Sequence, residues 1–287
     1  MQLPIYFFGD NHFSPTPSLS NEQKIRKLEQ FIDVIENSGG SIFIMGDFFD
    51  YYFEYNTNNP NYFEDVFSLI TNIRAKGIEV YFIAGNHDFW IGKEFQSVVT
   101  KSFLTDQILS VGGKKIYVTH GDGILSWDKS YRILKFILRS NIFHFLYSLL
   151  PKGFALNVAK RISYERKDSH IINHKKLERI HSELIQFSRS KWNEGCDIVI
   201  MGHYHHSFNF NEGQKQLIIL DDCCDQQFNY AKYDGDSISV ESLKLNFICN
   251  SNHNCILSMK SILGLFKYYR IIGVNNFICY LPTSFCW

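Results

Sequence analysis

Seven side chains of this sequence could share one chemistry: Asp10, His12, Asp47, Asn86, His120, His203 and His205. They lie in five short polar clusters, Gly9-Asp10-Asn11-His12, Gly46-Asp47, Gly85-Asn86-His87-Asp88, His120-Gly121-Asp122 and Gly202-His203-Tyr204-His205. Two carboxylates, one amide and four imidazoles make a mixed oxygen and nitrogen donor set without thiolate. Such donors favour Mn²⁺, Fe²⁺ or Zn²⁺ over soft-metal sites and over the all-oxygen cages of Ca²⁺. Mn²⁺ is the first expectation. Seven donors suffice for two divalent metal ions, and a pair of ions about 3.5 to 4 Å apart needs a bridging group. Asp47 is the candidate bridge. Asp10, His12 and His205 would complete one shell, and Asn86, His120 and His203 the other. A lone Asp-x-His is common by chance, so the information lies in the recurrence.

Each cluster follows a run rich in Ile, Val, Phe and Tyr: Ile5 to Phe8, Ser41 to Met45, Glu79 to Ala84, Lys115 to Thr119 and Asp197 to Met201, with a sixth such run at Gln216 to Leu220. Short, nearly continuous apolar runs are the mark of strands buried on both faces. In open α/β sheets ligands bind in the crevice outside the carboxyl ends of the strands. Five polar clusters at five strand ends can therefore meet. Between the first two strands Ser20 and Gln23 fit a capping box, Ile25, Leu28, Ile32 and Ile35 line one face, and Gly39-Gly40 ends the helix. A second helix is predicted over Asn61 to Lys76, with Phe63, Val66, Phe67, Ile70 and Ile73 inward. Alternating strands and helices predict a layered α/β fold.

The 287 residues, 45% of them hydrophobic and 20% charged, describe a folded chain with a substantial core rather than a disordered one. Lys and Arg number 29, as do Asp and Glu, so net charge gives no reason to expect nucleic acid as a partner. Charge is nonetheless uneven: residues 125 to 195 carry 14 basic against 6 acidic side chains. That stretch has helical periodicity and is too long for a bare connection, so it is read as a helical cap inserted into the core. Phe136, Phe143, Phe145 and Leu146 make it greasy; Arg132, Lys135, Arg139 and Lys152 make it basic. The combination suits an anionic lipid. Ile133 to Leu150 reads as an amphipathic helix, because Lys135, Arg139 and His144 interrupt it as a membrane span. The N-terminus lacks the features of an export signal, and seven cysteines with no CxxC pair point to reduced thiols, hence a cytoplasmic chain. From 246 to 287 no acidic residue occurs, which sets off a C-terminal extension.

The pattern Asp-x-His, Gly-Asp, Gly-Asn-His-Asp, His-Gly-Asp and Gly-His-x-His resembles the calcineurin-like metallophosphoesterase superfamily over roughly residues 1 to 245. More narrowly, three segments resemble the UDP-2,3-diacylglucosamine diphosphatase family of lipid A biosynthesis. These are Gly46-Asp47-Phe48-Phe49-Asp50-Tyr51-Tyr52-Phe53-Glu54-Tyr55, Gly85-Asn86-His87-Asp88-Phe89-Trp90-Ile91-Gly92-Lys93, and His120-Gly121-Asp122-Gly123 followed by Asp128 and Tyr131. The resemblance implies a layered fold of central β-sheets flanked by helices, a helical cap that holds acyl chains, and two divalent ions, most often Mn²⁺. It also implies hydrolysis of a UDP-linked diacylated glucosamine to UMP and 2,3-diacylglucosamine 1-phosphate, at the surface of the inner membrane, with no obligate protein partner. His87 would donate to the reacting phosphate with Asp88 orienting it, and Asn86, His87, Asp128, Ser169, Asn173 and Lys176 would contact substrate.

The sequence departs from that family in two places. His87 stands where some members have Arg, and Leu220-Asp221-Asp222 carries Asp where relatives often have Gly. The alternatives are a soluble metallophosphoesterase acting on another phosphoester and a non-catalytic scaffold that kept the fold. Retention of all seven donors disfavours the scaffold. The greasy cap disfavours a soluble substrate.

Overall fold

The computed structural model describes residues 1–16, 18–55, 61–158, 174–223 and 227–244. Two sheets carry the core. The first has six strands in the order β11-β10-β1-β2-β3-β4, from β1 (Ile5–Phe8), β2 (Ser41–Ile44), β3 (Glu79–Ile83), β4 (Lys101–Phe103), β10 (Gln227–Tyr233) and β11 (Ile238–Lys244). The second has five in the order β5-β6-β7-β9-β8, from β5 (Gln107–Val111), β6 (Lys114–Thr119), β7 (Ile198–Met201), β8 (Phe208–Glu212) and β9 (Lys215–Ile219). All six runs expected to form strands do so, within a residue at each end. The strands β1, β2, β3 and β4 are parallel, as are β6, β7 and β9, so their carboxyl ends share one edge of each sheet.

Side-chain alternation builds four layers from these strands. Ile5, Phe7, Phe43 and Ile83 of the first sheet meet Ile116, Val118, Ile198 and Ile200 of the second. Tyr6, Phe8, Ile42 and Ile44 point the other way, onto α1 (Leu19–Ser38) and α2 (Glu64–Ala75). Both faces are buried, which is why the strands read as unbroken apolar runs. Helix α1 ends at Gly39, whose φ of 67° suits a residue without Cβ and whose N–H donates to Ile35 O. Its start is not the capping box expected at Ser20. Ser18 is the cap, its hydroxyl accepting from Asn21 N–H at 3.2 Å, and Ser20 falls inside the first turn.

The apolar stretch expected as one helix is two, α4 (Lys129–Leu138) and α5 (Asn141–Ser148). Ser140 breaks it: its backbone is extended and its hydroxyl accepts from Phe143 N–H, a new N-cap in mid-run. A short helix α3 (Lys93–Val98) precedes them, and α6 (152–158) follows. Helix α7 (His174–Asn193) lies within the stretch read as cap, yet buries Ile180, Leu184 and Trp192 against Val199, Met201 and Leu217 of the second sheet. It is an outer core layer, and among the described residues of that stretch α4 to α6 are the helices that lie beside the strand-end cluster. Among the described residues no helix is long and apolar enough to cross a membrane. The extension from 246 to 287 lies outside the described residues, as do Ser169 and Asn173.

Candidate metal centre

The turns after β1, β2, β3, β6 and β7 converge, and glycines let them. Gly46 has φ 87°, and a Cβ there would lie 2.6 Å from Gly85 N and 2.9 Å from His120 Nδ1. A Cβ on Gly85 would strike the Asp47 carboxylate. Main-chain bonds lock the turns together: Asp10 N–H donates to Gly46 O and His12 N–H to Asp47 O, each at 3.0 Å. Among the described residues, the non-glycine residues with positive φ are Asp10, His12, Asp47, His203 and His205, at 48° to 71°. Each such conformation costs of the order of 1 to 3 kcal/mol and persists where the surroundings impose it. All five belong to the set of candidate donors, so strain is concentrated in one place.

The structure gathers the seven residues into two groups that meet at Asp47. Asp10, His12 and His205 form one, each offering a ligand atom within 4.8 Å of the others. Asp47, His120 and His203 form the second under the same limit, with Asn86 Oδ1 3.2 Å from His120 Nε2. Asp47 Oδ2 sits 3.3 Å from His120 Nε2 and 3.9 Å from His87 Nε2, and an Asp47 oxygen lies within 4.8 Å of a His12 nitrogen, so the carboxylate lies between the groups. A third combination, His12, Asp47 and His87, meets the same limit and adds His87 to the metal-competent side chains. Asp10 Oδ2 accepts from His203 N–H at 3.0 Å, tying one group to the other.

The donor set fits a divalent cation pair on chemical grounds. His120 Nδ1–H donates to Met45 O, which leaves Nε2 facing two oxygens, Asn86 Oδ1 and Asp47 Oδ2. Three acceptor atoms turned on one another call for a positive charge. Without an ion, a proton fills that need. Burial opposes charge on His120, but the Asp47 carboxylate outweighs it and pushes the imidazole up to about 10. Burial raises Asp47 too, yet His120 and His87 hold it well below the usual carboxylate range. His203, buried beside His120, is pushed down to about 3, and its buried Nδ1 has no hydrogen-bond partner. A cation would displace the extra proton on His120, so binding there is linked to pH.

Asp88 does something other than orient His87. Its carboxylate accepts from Gly85 N–H and Phe48 N–H, both at 2.8 Å, and more distantly from Asp47 N–H and Phe49 N–H. These four donors occupy both oxygens and pin the β2 turn to the β3 turn. Burial, then Asp47, raises this carboxyl to about 7, with the backbone donors working against them. The ring of His87 is oriented instead by Asp50 O, which accepts from Nδ1–H at 2.7 Å. Nε2 of His87 therefore faces the centre as an acceptor when neutral and a donor when protonated.

The cap is clamped to this centre through Asp122. Its carboxylate accepts from Lys135 Nζ and Tyr131 OH at 2.8 Å, both from α4, while Arg139 reaches Gly85 O at 3.1 Å. Burial raises Asp122, but His120, Lys135 and Arg139 hold it far below its ordinary value. Asp128 occupies the N-cap position of α4 without a side-chain cap bond, and exposed Lys176 stands over the Trp127 ring at 6.0 Å. Neither touches the seven donors in the contacts above. Beside Asn86 and His87 opens a cavity of about 330 Å³. Leu134, Leu138, Phe143, Leu150, Phe154 and Val158 line it, with Lys135 and Arg139 at its wall. Phe143 stacks on Trp90 there, whereas Phe136, Phe145 and Leu146 point away from it and are exposed.

Sequence reasoning missed three participants. Lys24, buried on α1, donates to His12 O at 2.6 Å and braces its strained turn. Asp50, three residues after Asp47, lies 3.3 Å from His12 Nδ1, and Asp222 accepts from His205 Nδ1–H at 2.8 Å. Asp50 could have been flagged by its spacing from Asp47, and Asp222 stands out in the sequence only as a departure from the family pattern, with nothing to say that it would hold His205.

A two-sheet core with carboxylate, amide and imidazole donors gathered at its strand ends defines a metal-dependent phosphoesterase. Residues 3–207 match the calcineurin-like phosphoesterase family, and the chain belongs to that family. It is 26% identical to the UDP-2,3-diacylglucosamine hydrolase of Porphyromonas gingivalis, an alignment covering 85% of this chain and 99% of that one. To the enzyme of the same name from Photorhabdus laumondii it is 28% identical, over 70% of this chain and 82% of the other. A solved structure of a conserved phosphoesterase-like protein from Streptococcus pneumoniae is 16% identical with a TM-score of 0.38, covering 85% and 90% of the two chains.

Proposed function

We propose that this chain hydrolyses the pyrophosphate bond of a UDP-linked 2,3-diacylated glucosamine, yielding UMP and 2,3-diacylglucosamine 1-phosphate. The observation that carries the reading is the apolar cavity opening directly beside Asn86 and His87. A soluble phosphoester has no use for a slot lined by Leu134, Leu138, Phe143, Phe154 and Val158. A substrate with acyl chains next to its scissile phosphate needs one, and the cavity is at the lower end of the size of ligand pockets. The names of the relatives agree with this substrate.

Asp10, His12 and His205 would hold one divalent ion, His120, His203 and Asn86 the second, with Asp47 shared; Mn²⁺ suits the donors best. Bound there, the ions lower the pKa of water and neutralise charge on the phosphoryl oxygens. The protein's own part is placement. Lys135 and Arg139, at the junction of cavity and centre, are placed to take charge on the diphosphate. His87, its ring fixed by Asp50 O, offers Nε2 to a phosphoryl oxygen when protonated. Asp128 and Lys176, with Ser169 and Asn173 beyond the described residues, are assigned to the sugar or nucleotide end.

The same reading places the protein on a membrane. Phe136, Ile142 and Phe145 are 80%, 74% and 61% exposed on α4 and α5, and α4 also carries basic Lys129 and Arg132. An apolar face with a basic rim fits an anionic bilayer, from which acyl chains would pass into the cavity. The test is release of UMP from UDP-2,3-diacylglucosamine by purified protein with Mn²⁺. Turnover of that lipid, with none of a cyclic nucleotide, is the expected result; the reverse preference overturns the reading.

A further inference from the structure

Two carboxylates outside the donor set make the halves of the centre unequal. His205 Nδ1–H donates to Asp222 Oδ2 at 2.8 Å, and His12 Nδ1 lies 3.3 Å from Asp50 Oδ1. The hydrogen bond fixes the tautomer of neutral His205, with the lone pair on Nε2; His12 Nδ1 makes no hydrogen bond, but the Asp50 carboxylate beside it favours the same tautomer. Those two Nε2 atoms face each other at 3.4 Å, the rings stacked at 26°, with Asp10 Oδ1 3.6 Å from that of His205. Two nitrogens bound at about 2.1 Å to one ion in tetrahedral array are about 3.4 Å apart. The pair is already set at ligand spacing.

The other half is backed differently. His120 Nδ1–H donates to a neutral acceptor, Met45 O, and His203 Nδ1 has no hydrogen-bond partner. Asn86 brings an uncharged donor where the first half has none. Three carboxylates lie within 3.6 Å of ring nitrogens in the Asp10, His12, His205 half, namely Asp10, Asp50 and Asp222. In the other half Asp47 does so at His120, while Asp122 acts on His120 and His203 through its charge without a close contact to either ring nitrogen. A carboxylate behind a histidine raises its basicity toward a metal and fixes the ring.

We infer that Asp222, with Asp50, is a positioning residue that makes the Asp10, His12, His205 position the tighter metal site, so that it fills first. The inference rests on the two-ion reading given above. It is specific to one position, which a general structural role would not be.

The experiment is a calorimetric Mn²⁺ titration of the chelated full-length protein, with electron paramagnetic resonance following free Mn²⁺. The wild type is expected to show two classes of site of about one equivalent each. Asp222→Ala weakens the tighter class by about 10- to 100-fold and leaves the weaker one within about twofold. Asp222→Asn, which keeps an acceptor but not the charge, falls between. His205→Ala removes the tighter class and His203→Ala the weaker. Should Asp222→Ala fail to fold by circular dichroism, Asp50→Asn carries the same expectation. One class of two equal sites in the wild type overturns the inference alone, as does equal weakening of both classes by Asp222 variants. Binding of less than one equivalent by the wild type overturns the two-ion reading as well.

Discussion

Replacing Asp88 by alanine separates a positioning carboxylate from a catalytic one. In the fold its two oxygens satisfy Gly85 N–H and Phe48 N–H at 2.8 Å, with Asp47 N–H and Phe49 N–H at 3.3 and 3.4 Å. The side chain is fully buried, so its donors lose their acceptor away from bulk solvent. Counting only the two short bonds, and about 1 to 3 kcal/mol for each buried donor left unpaired, Asp88→Ala costs about 2 to 6 kcal/mol. For a domain of this size about 2 to 4 °C is lost per kcal/mol, so Tm should fall by about 4 to 24 °C. Metal affinity should fall with it, since the two turns that carry Asp47 and Asn86 are no longer joined. Differential scanning calorimetry with and without Mn²⁺, beside steady-state kinetics, reads both. A Tm within about 2 °C of wild type together with a hundredfold loss of kcat would refute the reasoning and return Asp88 to a role in the reaction.

Phe143→Ala enlarges the cavity beside Trp90 and should raise KM for the diacylated substrate several-fold with a smaller effect on kcat. Gly85→Ala places a methyl against the Asp47 carboxylate and should cost at least about 100-fold in kcat/KM at saturating Mn²⁺. Asp122, depressed in the fold by His120, Lys135 and Arg139, stabilises the protein above its ordinary value of 3.8, and that contribution is lost as pH falls through and below it. In Asp122→Asn the acid limb of a Tm-against-pH curve should therefore be flatter. Phe136→Glu with Phe145→Glu should lower sedimentation with anionic vesicles by about tenfold while sparing hydrolysis of detergent-dispersed substrate.

What could be read from the sequence follows burial. Strands β1, β2, β3, β6, β7 and β9 are covered on both faces, so their apolar runs stand out and the clusters after them announce the centre. Strands β4, β5, β8, β10 and β11 escaped notice. They carry Lys, Gln, Asn and Ser on exposed faces, and β10 hides its alternation of Phe228 and Tyr230 with Ala231 and Tyr233 behind polar neighbours. The cap was legible as helical and greasy, but its division was not. Ser140 can sit in a helix or cap one, and only the packing decides. Helix α7 looks like cap in composition, since its buried stripe of Ile180, Leu184 and Trp192 says nothing of what lies beneath. Proximity was the other limit. His87 stands beside Asp88 in sequence, but its ring is held by Asp50 O from another turn, and His205 is held by Asp222 from 17 residues away.

The central claim is that seven side chains from five turns hold two cations. Anomalous diffraction from crystals grown with Mn²⁺ measures this directly. Two peaks about 3.5 to 4 Å apart are predicted, one among Asp10, His12 and His205, the other among Asn86, His120 and His203, with Asp47 between them. A single peak, or two lying away from Asp47, would contradict it.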